Sequence, residues 1–122
     1  MSTESDLRAA FLANGTVSGV IGTSFYPIAL PHAASRPAIV YQQVDGANEV
    51  TLGGVVISGT IAFQLVLHAE DYGEIVQLAS ACRLLHGTGY ATIDRLQVTD
   101  GADDYDFEIG LFLRVMDVTC EL

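Results

Sequence analysis

The chain has 122 residues, fifteen acids against five arginines, no lysine and a formal net charge of −10. One domain spanning residues 1–122 fits that length, and half apolar residues with 16% charged and a mean hydropathy of +0.38 support a packed core and exclude wholesale disorder. Arginines 8, 36, 83, 95 and 114 stand singly along the chain, which excludes the clustered cations that phosphate recognition needs.

Residues 3–13 read as a helix, with Thr3 as cap, Asp6 three positions on, and Leu7, Ala10 and Phe11 at helical spacing. Asn14 and Gly15 stop it, and a short second turn is expected over Val17–Ile21 before Gly22. FYPIALPHAASRP follows as an extended connector, because Pro27, Pro31 and Pro37 each push the preceding residue out of helical geometry. Ala38–Val44 reads as a strand with apolar residues in both alternating sets, hence one covered on much of both faces. DGAN, residues 45–48, then reads as a turn. The following VTLGGVVISG mixes strand-forming Val and Ile with Gly53, Gly54 and Gly59, which permit bends. The expectation is a long projecting hairpin over Asp45–Thr60 whose Asp45, Asn48, Glu49, Val50, Leu52, Val55, Val56 and Ile57 contact a neighbouring subunit or another assembly component.

Ile61–His68 alternates cleanly, with Ile61, Phe63, Leu65 and Leu67 on one face. Glu70–His86 reads as a helix capped by Asp71, carrying a stripe of Tyr72, Ile75, Val76, Ala79, Cys82 and Arg83 and closed by Gly87. ATIDRLQVT reads as a strand and GADDYD as a turn. A last strand is expected to start at Phe107 and run to Cys120, with Phe107, Ile109, Leu111, Leu113 and Val115 alternating against Glu108, Gly110, Phe112 and Arg114. The fold class is therefore α+β, a two-layer sandwich in the order α-β-β-α-β-β, with a mainly antiparallel sheet and both helices on one face.

No motif carries chemistry. His68, Glu70 and Asp71 lack a ligand spacing, and Asp71 is better used as a cap. DGADDYD lacks the distal Glu of a calcium loop. There is no GxSxG elbow, and TLGGVVISG lacks the Lys-Ser/Thr ending of a phosphate-binding loop. Cys82 and Cys120 read as small core hydrophobes. No catalytic, cofactor or metal site is expected. No run of eighteen apolar residues suggests a membrane span, and the polar start MSTESD lacks the layout of a signal peptide, so the chain is expected in a cytoplasm.

The succession LRAAFLANGTVSGVIGTSFYPIALPHAASRPAIVYQQVDG, followed by FQLVLHAEDYGEIVQLASACRLLHG, resembles the tail-completion or tail-terminator family of long, flexible-tailed bacteriophages. The likeness rests on an initial helix, a tyrosine-proline arm and a strand of the form P-x-(I/V)-(V/T)-Y, matched by Tyr26, Pro27, Pro37, Ile39, Val40 and Tyr41, then a strand, a polar break and a Gly-closed helix over Phe63–Gly87. His68, where a Trp or Cys would be looked for, and the missing lysines depart from the pattern. The resemblance implies a non-enzymatic virion protein, assembled in the host cytoplasm. It also implies a ring, commonly of six copies, that caps the head-proximal end of the tail tube, ends its growth and meets the head connector. DNA would pass through an acidic ring without sequence-specific binding. The rival reading is a stand-alone α+β module that dimerises through a sheet edge and holds a small ligand in a concave pocket.

Overall fold

A computed structural model describes residues 3–22, 24–30, 37–50, 56–91 and 93–121. In chain order the elements are α1 (Thr3–Ala13), α2 (Gly15–Ile21), β1 (Phe25–Pro27), β2 (Ala38–Val50), β3 (Val56–Ala69), α3 (Tyr72–Arg83), β4 (Arg95–Asp106) and β5 (Leu111–Glu121). The strands form one sheet in the order β1-β2-β3-β5-β4. β1 runs parallel to β2, and every other neighbouring pair is antiparallel. The α+β class and the mainly antiparallel sheet agree with the sequence reading; the short turn expected over Val17–Ile21 is the helix α2, and the structure adds the edge strand β1.

The two N-terminal helices meet at Asn14. Its side-chain oxygen accepts from the backbone N–H of Thr16 at 3.0 Å and of Val17 at 3.2 Å, so the residue that stops α1 caps α2. α1 buries Leu7, Ala10 and Phe11, and α2 buries Val17 and Ile21. β1 lies inside the stretch read as a connector. Its three residues pair with Ile39, Val40 and Tyr41, and Pro27, which has no N–H to give a ladder, sits on the outermost strand where none is required. Residues 31–36 of the arm lie outside the described residues.

One face of the sheet carries the core. Register aligns Ile39 with Leu67 and Tyr41 with Leu65, Leu65 with Met116 and Phe63 with Val118, and Val98 with Val118. These residues join the buried side chains of all three helices in a single cluster, so the helices share that face. An aromatic series crosses the layer interface: Phe11 to Phe25 at 5.5 Å, Phe25 to Tyr41 at 5.0 Å and Tyr41 to Phe63 at 6.3 Å between ring centroids. Each pair adds about 0.5–1.5 kcal/mol beyond area burial. On β2, Ala38 and Val40 are buried as well as Ile39 and Tyr41, as expected for a strand covered on both faces.

Four sequence expectations are corrected. DGAN is not a turn, because β2 continues through it to Val50 and the irregularity between Gln43 and Asp45 is a bulge that leaves Val44 exposed. GADDYD is likewise strand, as β4 runs on to Asp106. Its turn-like composition is absorbed by a second bulge between Asp100 and Asp103. There a Cβ on Gly101 would stand 2.6 Å from the Val115 carbonyl oxygen, so only glycine fits. Phe107 and Ile109 belong to the connection rather than to β5, which starts at Leu111, and the core set is Met116, Val118 and Cys120. The buried stripe of α3 is Ile75, Leu78, Ala79, Ala81 and Cys82. Tyr72 and Val76, expected on it, are 44% and 41% exposed, because the stripe is rotated toward Leu78 and Ala81. Arg83 reaches Asp100 at 3.3 Å.

Candidate assembly surfaces

Antiparallel strand order places the two long hairpins at opposite ends of the sheet. β5 begins opposite Ala69 at the end of β3 and finishes opposite Thr60, so the connection of β4 to β5 lies at one end and that of β2 to β3 at the other.

At the second end, β2 and β3 outrun the sheet. Ala47 pairs with Thr60, Asn48 with Gly59, Glu49 with Ser58 and Val50 with Val56, whereas pairing with β5 stops at Thr60 and Glu121. Of the expected contact residues, Asn48, Glu49 and Val50 on β2 and Val56 and Ile57 on β3 lie in this two-stranded ribbon. Asp45 pairs with Ala62, inside the part that β5 also covers. Leu52 and Val55 lie outside the described residues. Among the described residues no third strand pairs with this ribbon, which carries five of the eight expected contact residues on one two-stranded element.

Next to this end, Arg95 and Glu121 pair across β4 and β5, and Gln97 donates to the same carboxylate at 3.3 Å. The Arg95 hydrogen bond holds the Glu121 carboxyl below its usual range, and Glu121 raises the guanidinium in return. On the far side of the sheet, the arm turns at Ile28, whose N–H donates to the Tyr41 carbonyl at 2.8 Å. Ile28 has φ 67 and is 72% exposed. A β-branched residue in left-handed geometry is strained.

The opposite end was not legible as a surface in the sequence. Asp106 builds the connection: its side-chain oxygen accepts from the N–H of Glu108 at 2.9 Å and of Ile109 at 3.4 Å, and its carbonyl accepts from Gly110 at 2.8 Å. Gly110 closes the loop at φ 70. Phe107 is thereby 89% exposed and Ile109 56%. The readable signal was an Asp followed four residues later by a Gly, the spacing of a side-chain-capped hairpin loop.

Beneath the tip, rings are stacked edge to face. Phe107 meets Tyr105 at 4.9 Å, Tyr105 meets Phe112 at 4.7 Å and Phe112 meets Tyr72 at 5.7 Å. Arg114 lies beside them and grips Asp103 with two donors, Nε to Oδ1 and Nη2 to Oδ2 at 3.0 Å, while the Tyr72 hydroxyl donates to Asp103 at 2.8 Å. The Arg114 hydrogen bond, followed by that of Tyr72, holds the Asp103 carboxyl below its usual range, and Asp103 raises the Arg114 guanidinium. The arrangement ties α3, β4 and β5 together.

Asp71 caps α3 by accepting from Gly73 at 2.9 Å, the role the sequence assigns it. His68 Nδ1 lies 3.1 Å from the Val66 carbonyl oxygen. Cys82 and Cys120 are buried thiols, each pushed up to about 12 by desolvation. Among the described residues no group of three or more His, Cys, Asp or Glu is placed to hold a metal ion, no pocket opens, and no helix is long and apolar enough to cross a membrane.

The fold is similar to that of a chain in the solved structure titled "Virion of native gene transfer agent (GTA) particle", at 14% identity and a TM-score of 0.62, with 99% of this chain and 96% of that chain covered. No curated protein matches the sequence. The profile of the family described as "Tail completion protein gp17" matches residues 5–120, nearly the whole fold from α1 to β5, and the chain belongs to that family.

Proposed function

We propose that the chain is a subunit of a closed ring, six copies in number, that caps the head-proximal end of a phage-like tail tube, ends its polymerisation and joins it to the head connector. The observation that carries this reading is membership of a tail completion family over residues 5–120, which makes the chain a structural component of a virion tail. A ring needs a heterologous contact in which one surface of a subunit meets a different surface of the next. The ribbon beyond Thr60 supports such a contact. It projects past the three-stranded part of the sheet, and Asn48, Glu49, Val50, Leu52, Val55, Val56 and Ile57, with Asp45 at its base, are the residues assigned to the neighbouring subunit or the tube.

A net charge of −10 suits a ring through which DNA travels, because an acidic lining repels the phosphate backbone instead of binding it. The reading assigns the protein no catalytic step.

Deletion of the gene from its phage, with a plasmid copy supplied in trans as control, tests the proposal. Electron micrographs should show tails of uneven, extended length and heads without tails, both corrected by the plasmid copy. Tails of normal length joined to heads in the deletion strain would refute it.

A further inference from the structure

We infer that the connection between β4 and β5 is a second docking element, a plug whose Phe107 and Ile109 seat in an apolar hollow rimmed by Lys or Arg on a different protein of the particle. The inference rests on the tail reading above and adds to it a surface at the other end of the sheet. Two side chains that are 89% and 56% exposed are displayed by a turn that Asp106 and Gly110 fix in shape. The ring contacts from Phe107 through Tyr105 and Phe112 to Tyr72 brace it from below. A braced aromatic tip loses little freedom on binding, which is the property of an anchor residue.

Charge decides the partner. Asp104, Asp106 and Glu108 lie within three residues of Phe107 in sequence, and among the described residues no cation pairs with them. A second copy of this chain is a poor source of the missing positive charge. It has no lysine and five arginines. Arg83, Arg95 and Arg114 are held by Asp100, Glu121 and Asp103, Arg8 donates to the Phe25 carbonyl, and Arg36 lies outside the described residues. An anionic membrane is disfavoured for the same reason, since carboxylates beside the inserting rings would meet like charge. The complementary surface is therefore cationic, apolar at its centre and carried by another protein.

The test is photo-cross-linking in assembled particles. p-Benzoylphenylalanine is placed by amber suppression at position 107, and, as control, at Tyr90, which is 39% exposed and precedes β4 at the far end of the sheet. Mass spectrometry of the product from position 107 should identify a peptide of a different particle protein containing Lys or Arg, in excess of the control. Cross-links to another copy of this chain, to lipid, or none above the control, overturn the inference. The double variant Phe107→Ser, Ile109→Ser should keep its thermal transition, because both side chains are exposed, yet enter particles at least about tenfold less than wild type. Undiminished entry overturns the inference. Absence of the wild-type chain from purified particles overturns the tail reading itself, whereas its presence without a cross-link from position 107 overturns the tip assignment alone.

Discussion

Replacing residues 48–59 by Asn-Gly, so that Ala47 and Thr60 flank a two-residue turn, removes the projecting ribbon and leaves the three-stranded part of the sheet intact. Ala47 and Thr60 are already paired, and Thr60 is the last β3 residue paired with β5. The deletion abolishes three register pairs, Asn48 with Gly59, Glu49 with Ser58 and Val50 with Val56. At about 0.2–1 kcal/mol each, their loss costs up to about 3 kcal/mol. Shortening the closed segment from twelve residues to two returns about 1.6 kcal/mol of loop-closure entropy. The net change is within about 1.5 kcal/mol of zero, a shift in Tm of less than about 6 °C for a domain of this size. Circular dichroism melts of the monomer should show a cooperative transition close to wild type, while negative-stain images show no rings and complementation of the deletion strain fails. A variant that loses its helical signal, or melts more than about 15 °C early, would show that the ribbon belongs to the core. One that folds and still forms rings would remove it from the assembly contact.

Gly101→Ala forces a Cβ against the Val115 carbonyl and should destabilise the monomer by about 1–3 kcal/mol in denaturant titrations, whereas Ala substitution at Gly19, where nothing lies within 4 Å, should be tolerated. The Asp103 carboxyl is held below its ordinary value of 3.8, so its pairing stabilises the fold above that pH and is lost as pH falls through the lower folded value. Asp103→Asn should therefore lower Tm at pH 6 by the equivalent of about 1 kcal/mol or less, and the gap to wild type should begin to narrow below about pH 4 and vanish only once pH has passed the lower folded value. Cys82 and Cys120, raised to about 12, should stay unreactive to a thiol-titrating disulfide at pH 8 in the native protein and react together on denaturation. The same shift means that the stability their burial confers is present below the ordinary thiol value of 9.0 and declines as pH rises from there toward 12.

Local patterns that match a single period were legible. The alternation of Phe63, Leu65 and Leu67 gave the core face of β3, the Asp71 cap gave the start of α3, and Asn14 marked the break between α1 and α2. What escaped was decided by partners distant in sequence. Asp45–Asn48 and Gly101–Asp106 have the composition of turns, yet both extend strands because each lies beside a paired neighbour and vents its mismatch through a bulge. The face chosen by β5 was ambiguous, since apolar residues occupy both sets along Leu111–Val118, and only register with Leu65 and Phe63 selects Met116 and Val118. The stripe of α3 was misplaced because Tyr72 and Val76 are apolar but face out beside Phe112 and solvent. The pairing of β2 with β3 as a hairpin follows from the strand-forming residues on both sides of residues 51–55, whereas the aromatic tip at the other end is hidden in the sequence because Phe107, Ile109 and Leu111 alternate as a strand would.

The mass of the assembled protein addresses the central proposal most directly. Native mass spectrometry of the purified chain, alone and with fragments of its tail tube, should give a discrete species of about six times the 13.0 kDa subunit, as a closed ring of heterologous contacts requires. Monomer or dimer alone under both conditions, or an open series of masses without a closed size, would contradict the account.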